Sequence, residues 1–198
     1  SLAGQIQFVL NLFISGISAG SGIMAAQYWG KKDAASIEEV MPIALRTNLI
    51  FSGVFTVFAA VAPEVLMRIF TSDTALIESG AVYLQAVSLS YLLCGISQIY
   101  LILLKNTGYA TVSSRISCTA VVVNIICNAI LIYGLLGLPA LGIQGAAYAT
   151  VIARLVELVW SYLETKQSGR VQIIWKKMFH AADAVLTKDF WRYTMPVL

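Results

Sequence analysis

The sequence predicts an all-α fold, a polytopic membrane helical bundle, and three observations predict it. Hydrophobic residues make up 59% of the 198 and charged residues only 12%, at a mean hydropathy of +0.80, whereas a soluble globular domain is roughly a quarter charged. Several charge-poor stretches are each long enough for a membrane-spanning helix, which needs roughly 20 apolar residues. The charges fall in short segments between those stretches, so the net charge of +3 is explained by orientation in a bilayer rather than by a nucleic-acid partner.

The elements follow in order. Residues 1–30 carry no charge and predict the first span. KKDAASIEEV is a polar loop, with a short helix capped near Ser36. The second span covers residues 42–61, with Arg46 near its start, where a long side chain can reach the headgroups. PEVLMRIFTSDTALIE, holding Glu64, Arg68, Asp73 and Glu78, is the next connection. The third span covers residues 79–104, and KNTGYATVSSR after it is a turn broken by Asn106, Gly108 and Ser113. The fourth covers residues 116–136, GLLGLPALG is a short apolar turn, and the fifth span covers residues 143–163.

Beyond the fifth span the character changes. ETKQSGRVQIIWKKMFHAADAVLTKDFWRY is mixed and basic. Val171, Ile174, Trp175, Met178, Phe179 and Ala182 recur at helical spacing and predict an amphipathic helix lying in the interface, with His180 interfacial rather than a ligand or base. TMPVL reads as the start of a further span. No basic segment precedes the first apolar run, so the N-terminus predicts a trimmed or partial chain rather than a signal peptide. Cys94, Cys118 and Cys127 all fall in apolar runs and read as small buried hydrophobes, not disulfides or metal ligands.

The basic residues set an orientation. Lys31, Lys32 and Arg46 belong to the first loop, Lys105 and Arg115 to the third, and Lys166, Arg170, Lys176, Lys177, Lys188 and Arg192 to the segment after the fifth span. These alternate loops hold eleven of the 13 Lys and Arg residues. The positive-inside rule puts them on the cytoplasmic side, and the alternation is the one that five spans require.

Polar groups within the spans are the candidate functional residues. Asn124 and Asn128, in VVVNIICNAILIYG, lie four apart on one helix face. They are either cavity-facing or interhelical glue, and such a glue bond contributes only about 0.6 kcal/mol on average. Gln7, Asn11, Ser15 and Ser18 form a stripe in the first span; Tyr83, Ser90, Cys94, Ser97 and Gln98 lie broadly on one side of the third; Thr150 is in the fifth. Several helices with one wet stripe each predict a bundle around an aqueous cleft. Gly16 and Gly20, and Gly145, Ala149 and Ala153, are small-residue packing patterns. Arg154 and Glu157, three apart, predict a structural ion pair. No paired acids, phosphate loop or metal-ligand spacing stands out, which argues against an enzyme.

Three segments resemble one known family. GISAGSGIMAAQYWGKKD is similar to the end of the second helix of multidrug and toxic compound extrusion (MATE) transporters and the loop after it. MRIFTSD resembles the segment before that family's fourth helix, and NIICNAILIYGLLGLPALGIQGAAYATVIARLVE its fifth and sixth helices. The resemblance implies that the five spans are helices two to six of a six-helix lobe. Residues 1–163 are then a partial N-lobe bundle, 164–190 a cytoplasmic amphipathic inter-lobe linker and 191–198 the start of the second lobe. It implies a multi-pass protein of the cell membrane that exports drugs and other organic cations by alternating access, coupled to sodium ions or protons. No other cofactor and no nucleic-acid partner is expected; the partners are membrane lipid, small organic cations, and a first helix and second lobe outside this chain.

The resemblance also assigns residues. Asn124 and Asn128 match two helix-five positions of the family's cation site. Some members have Asp at the second; an amide there cannot take up a proton, but its carbonyl can ligate sodium, so Asn128 favours a sodium site at this pair. Thr150 and Tyr83 are carried over as cation- or substrate-binding, with Gln7, Asn11 and Gln98 lining the cavity. Two alternatives stay open: a flippase of lipid-linked sugars in the same superfamily, which would carry more basic residues in its spans, and a non-transporting membrane scaffold, which would need no common cleft.

Overall fold

Backbone groups that no water can reach must bond within their own segment, and an apolar chain does so as helix. The computed structural model describes residues 3–137, 139–179 and 184–196. Seven α-helices form among them: α1 (Ala3–Gly30), α2 (Ala34–Val61), α3 (Pro63–Arg68), α4 (Thr74–Asn106), α5 (Ala110–Tyr133), α6 (Gly142–Thr165) and α7 (Ala184–Thr194). No strand forms among the described residues. α1, α2, α4, α5 and α6 are each long and apolar enough to cross a membrane, so the five predicted spans are present.

Caps move the boundaries. Asp33 is the N-cap of α2, and its carboxylate accepts from the Ser36 hydroxyl at 2.6 Å and the Ser36 N–H at 3.1 Å. Those bonds, the side-chain one foremost, hold the Asp33 carboxyl below the usual carboxylate range. The cap satisfies an otherwise orphaned amide, and α2 then runs through Pro42 to Val61. The short loop helix and the second span, expected to be separate, are therefore one rod. α3 starts on Pro63 inside the expected connection, where the missing N–H costs nothing. α4 starts behind Asp73, which accepts from the amides of Ala75 and Leu76.

Two glycines close the turns around α5. Gly108 takes φ +90° after α4, and Gly134 caps α5 in the left-handed region at φ +68°, where a side chain would be strained. Ser113, expected as a breaker, lies inside α5, and its hydroxyl donates to the Leu101 carbonyl of α4 at 3.0 Å. After Gly134 the Leu141 N–H bonds the Leu131 carbonyl at 2.9 Å, and α6 returns along α5.

α4 is the hub, packed against α1, α2, α3, α5 and α6. One buried cluster joins Ile17 and Met24 of α1, Met41 and Leu45 of α2, Ile99 and Tyr100 of α4, and Phe190 of α7. A second joins Ile6, Leu10 and Ile14 of α1 to Met67, Leu84, Val87 and Tyr91. The small-residue positions are used for close approach. A Cβ on Gly20 would collide with the side chain and Cα of Thr194 in α7, and one on Gly145 would lie 2.6 Å from the Leu131 carbonyl oxygen. Ala149 and Ala153 are buried beside them. Of the three cysteines expected to be buried, only Cys94 is; Cys127 is half-buried and Cys118, on the thinly packed α5, is exposed.

The predicted amphipathic helix after the fifth span is not what forms up to residue 179. Residues 171–174 form neither helix nor strand and Trp175–Phe179 is a 3-10 turn. Val171 and Ile173 are buried while Ile174, Trp175 and Phe179 are exposed, so the apolar residues of the predicted stripe do not share one helix face. The cause is anchoring across the bundle end. The Trp175 indole donates to the Tyr100 hydroxyl at 2.7 Å, and the Lys177 ammonium lies 3.6 Å from the Glu39 carboxylate. His180 and Ala182 lie outside the described residues. Arg170 pairs with Glu164 and stacks over the Tyr109 ring at 4.2 Å. These contacts gather the start of α2, the α4–α5 turn and residues 164–179 at one end of the bundle, where the basic residues concentrate.

Candidate functional site

α5 and α6 form an antiparallel hairpin, and the short Gly134–Leu141 turn sets its register. That register places α5's two asparagines opposite Thr150. The Asn128 amide N–H donates to Asn124 Oδ1 at 3.0 Å, the Asn124 amide N–H reaches Thr150 Oγ1 at 3.5 Å, and the Thr150 hydroxyl donates to the Ala146 carbonyl at 3.0 Å. All three side chains are half-buried. Asn128 Oδ1 is buried with no hydrogen-bond partner. An unpaired buried amide oxygen carries a desolvation cost of about 1–3 kcal/mol, and it is also the atom type that ligates a hard cation. The Asn128, Asn124 and Thr150 side-chain oxygens are the groups here that could hold a cation.

Beside this relay lies a cleft of about 410 Å³ between α1, α4, α5 and α6. Gln7 lines it from α1, Gln98 from α4, Ser117 and Asn124 from α5, and Thr150, Arg154 and Glu157 from α6. Of the sequence-predicted residues, Gln7, Gln98, Asn124 and Thr150 thus line one cleft, with Asn128 bonded to Asn124 outside its lining. Tyr83 lines a separate, apolar pocket of about 530 Å³ with Met67, Ile132 and Ile143, and its side chain reaches Thr150. It stands as a partition between the apolar pocket and the amides. Asn11 is exposed on α1, outside the cleft.

Arg154 and Glu157 pair at 2.7 Å, as their spacing predicts. Their place on the cleft wall is the part sequence reasoning missed. Glu157 also accepts from the Ser97 hydroxyl of α4 at 2.9 Å, which ties α6 to the hub helix. The signal was present: Ser97 and Gln98 fall on α4's polar side, and the ion pair lies one and two turns beyond Thr150.

Comparisons with known proteins agree with this architecture. Residues 1–130 match the family model described as MatE. The chain is 26% identical over 179 residues to "Uncharacterized transporter YisQ" of Bacillus subtilis (strain 168), covering 90% of this chain and 39% of that protein. It is 26% identical over 160 residues to "Probable multidrug resistance protein NorM" of Thermotoga maritima, covering 78% and 33%. The chain spans well under half the length of these curated relatives. The backbone superposes on an inward-facing MATE family transporter with a TM-score of 0.82 at 20% identity, covering 95% of this chain and 42% of that one. It superposes on the outward-facing form with a TM-score of 0.82 as well, covering 99% and 43%.

Proposed function

This chain belongs to the MatE family, and from that premise we propose that it supplies most of one lobe of an ion-coupled exporter of drugs and other organic cations. On this reading residues 1–163 are an N-lobe, 164–190 a linker on the cytoplasmic face and 191–198 the entry to a second lobe in the cell membrane. A preceding helix and the second lobe complete the machine.

The observation that carries the proposal is the Asn128–Asn124–Thr150 relay beside an open polar cleft. Its oxygens would hold the coupling cation, and amides favour sodium because they take up no proton at neutral pH. A bound sodium ion supplies a positive charge at the relay. The chain's own residues do the rest. Gln7 and Gln98 offer neutral dipoles that orient a solute without trapping it. Tyr83 borders an apolar pocket suited to the hydrophobic body of an amphipathic compound. The equal fit of one backbone to inward- and outward-facing relatives supports motion between lobes rather than within this one. A cleft lining with a single, already paired basic residue favours cations over the anionic lipid-linked sugars of a flippase.

The test uses the full-length protein. Asn124→Leu and Asn128→Leu are each expected to abolish most drug efflux from cells at equal expression, and to remove its sodium dependence. Efflux equal to the parent's would reject the relay as the coupling site.

A further inference from the structure

The cleft has two layers. Seven residues, about 10 Å along α6, separate Thr150 in the amide layer from Glu157 in the second. Glu157 is 2% exposed. Its Oε2 accepts from both the Arg154 guanidinium at 2.7 Å and the Ser97 hydroxyl at 2.9 Å. No donor among the described residues is hydrogen-bonded to Oε1.

An ion pair is a poor way merely to join α6 to α4. Its Coulombic gain is largely offset by desolvating both charges, and a neutral pair of the same shape would serve as well. The two partners are also held unequally. The Arg154 side chain keeps 27% of its surface against 3% for Glu157, so the guanidinium is the partner open to the cleft while the carboxylate is held by Ser97. The other side chains lining the cleft among the described residues, such as Gln7, Gln98, Ser117 and Asn124, are neutral. With Arg154 displaced, Glu157 is the negative charge on a low-dielectric wall, where attraction for a cation is stronger than in water. A large organic cation is weakly hydrated and sheds little solvation in reaching it.

We propose that Glu157 anchors the cationic group of a transported compound by exchanging its Arg154 partner for that group. Arg154 is the resident counter-ion, closing the site when no compound is bound. The inference deepens the organic-cation exporter reading and rests on it.

The experiment measures binding of tetraphenylphosphonium, and of its neutral analogue triphenylphosphine oxide, to the purified full-length transporter by titration calorimetry. The double variant Arg154→Gln/Glu157→Gln keeps the shape and removes both buried charges. It is expected to weaken tetraphenylphosphonium binding about tenfold or more while leaving the oxide unchanged. Glu157→Asp keeps the charge but withdraws it by one methylene, and is expected to weaken the cation severalfold with the oxide again unchanged; it carries the test should the double variant not fold. Cation affinity within about twofold of the parent in the variants would overturn the anchor. So would parallel loss of the oxide, which marks a purely structural pair. A parent that binds tetraphenylphosphonium alongside variants that bind it equally well sinks only the anchor; a parent that binds neither compound sinks the exporter reading with it.

Discussion

α4 and α5 read almost alike in the sequence, each a long apolar run with its charges at the ends, yet they meet opposite fates. In α4, 67% of the most apolar stretch is buried inside the bundle; in α5 the figure is 11%. Ser88, Ser90 and Ser97 of α4 are sealed in, and the Asn48 amide of α2 donates to its Gly95 carbonyl at 3.2 Å. α5 turns Val122, Ile125 and Ile126 outward and keeps Asn124 and Asn128 toward α6. Hydropathy records only that both helices avoid water, not whether protein or lipid replaces it. Small and hydroxylated residues mark the first case, because they let backbones approach. Branched aliphatic residues around two amides mark the second. A helix with so little core packing to maintain can spend its polar groups on solutes.

That contrast can be broken or sharpened by substitution. The largest effect is expected where α5 meets α6. Gly145→Val puts a branched side chain against the Leu131 backbone, which cannot give way as a flexible side chain would. A destabilisation of about 3 kcal/mol or more follows, read as a lower unfolding midpoint of the full-length protein in detergent. Unchanged stability would mean α5 is held by something other than this contact. Next comes Asn48→Ala, which deletes a fully buried bond into α4; a loss of about 1–2 kcal/mol is expected in the same assay. Smallest is Ile125→Leu, on α5's outer face at 62% exposure. It should change stability by less than about 0.5 kcal/mol. A large effect there would show that another protein surface, not lipid, covers α5.

Much of the bundle was legible because a span is a matter of length and polarity. The five runs, the alternating basic loops and the Arg154–Glu157 pair are all local. The rest depended on geometry that the chain shows only when folded. Gln7 and Asn11 share a stripe by spacing, but each step of four residues drifts about 40° around a helix; Gln7 reaches the cleft and Asn11 turns out of it. The 171–179 segment has helical spacing, yet it forms irregular chain and then a 3-10 turn, with Trp175 bonded to Tyr100 and Lys177 paired with Glu39 across the bundle end. Asp33 carries N-cap chemistry, but that its helix would continue through Pro42 was hidden, since proline normally ends one. Nothing in Tyr83's neighbourhood in the sequence said that it would separate two cavities.

The meeting of Gly20 with Thr194 has a mechanical consequence. Thr194 packs directly on the Gly20 backbone, with no side chain from α1 between them, so any tilt of α7 is delivered to α1 at that point as to a fulcrum. From Gly20 to Gln7 the rod is about 20 Å long, and a tilt of only about 3° displaces its far tip by about 1 Å. A small movement at one end of the molecule thereby becomes a change in width at the mouth of the wet hollow on the other.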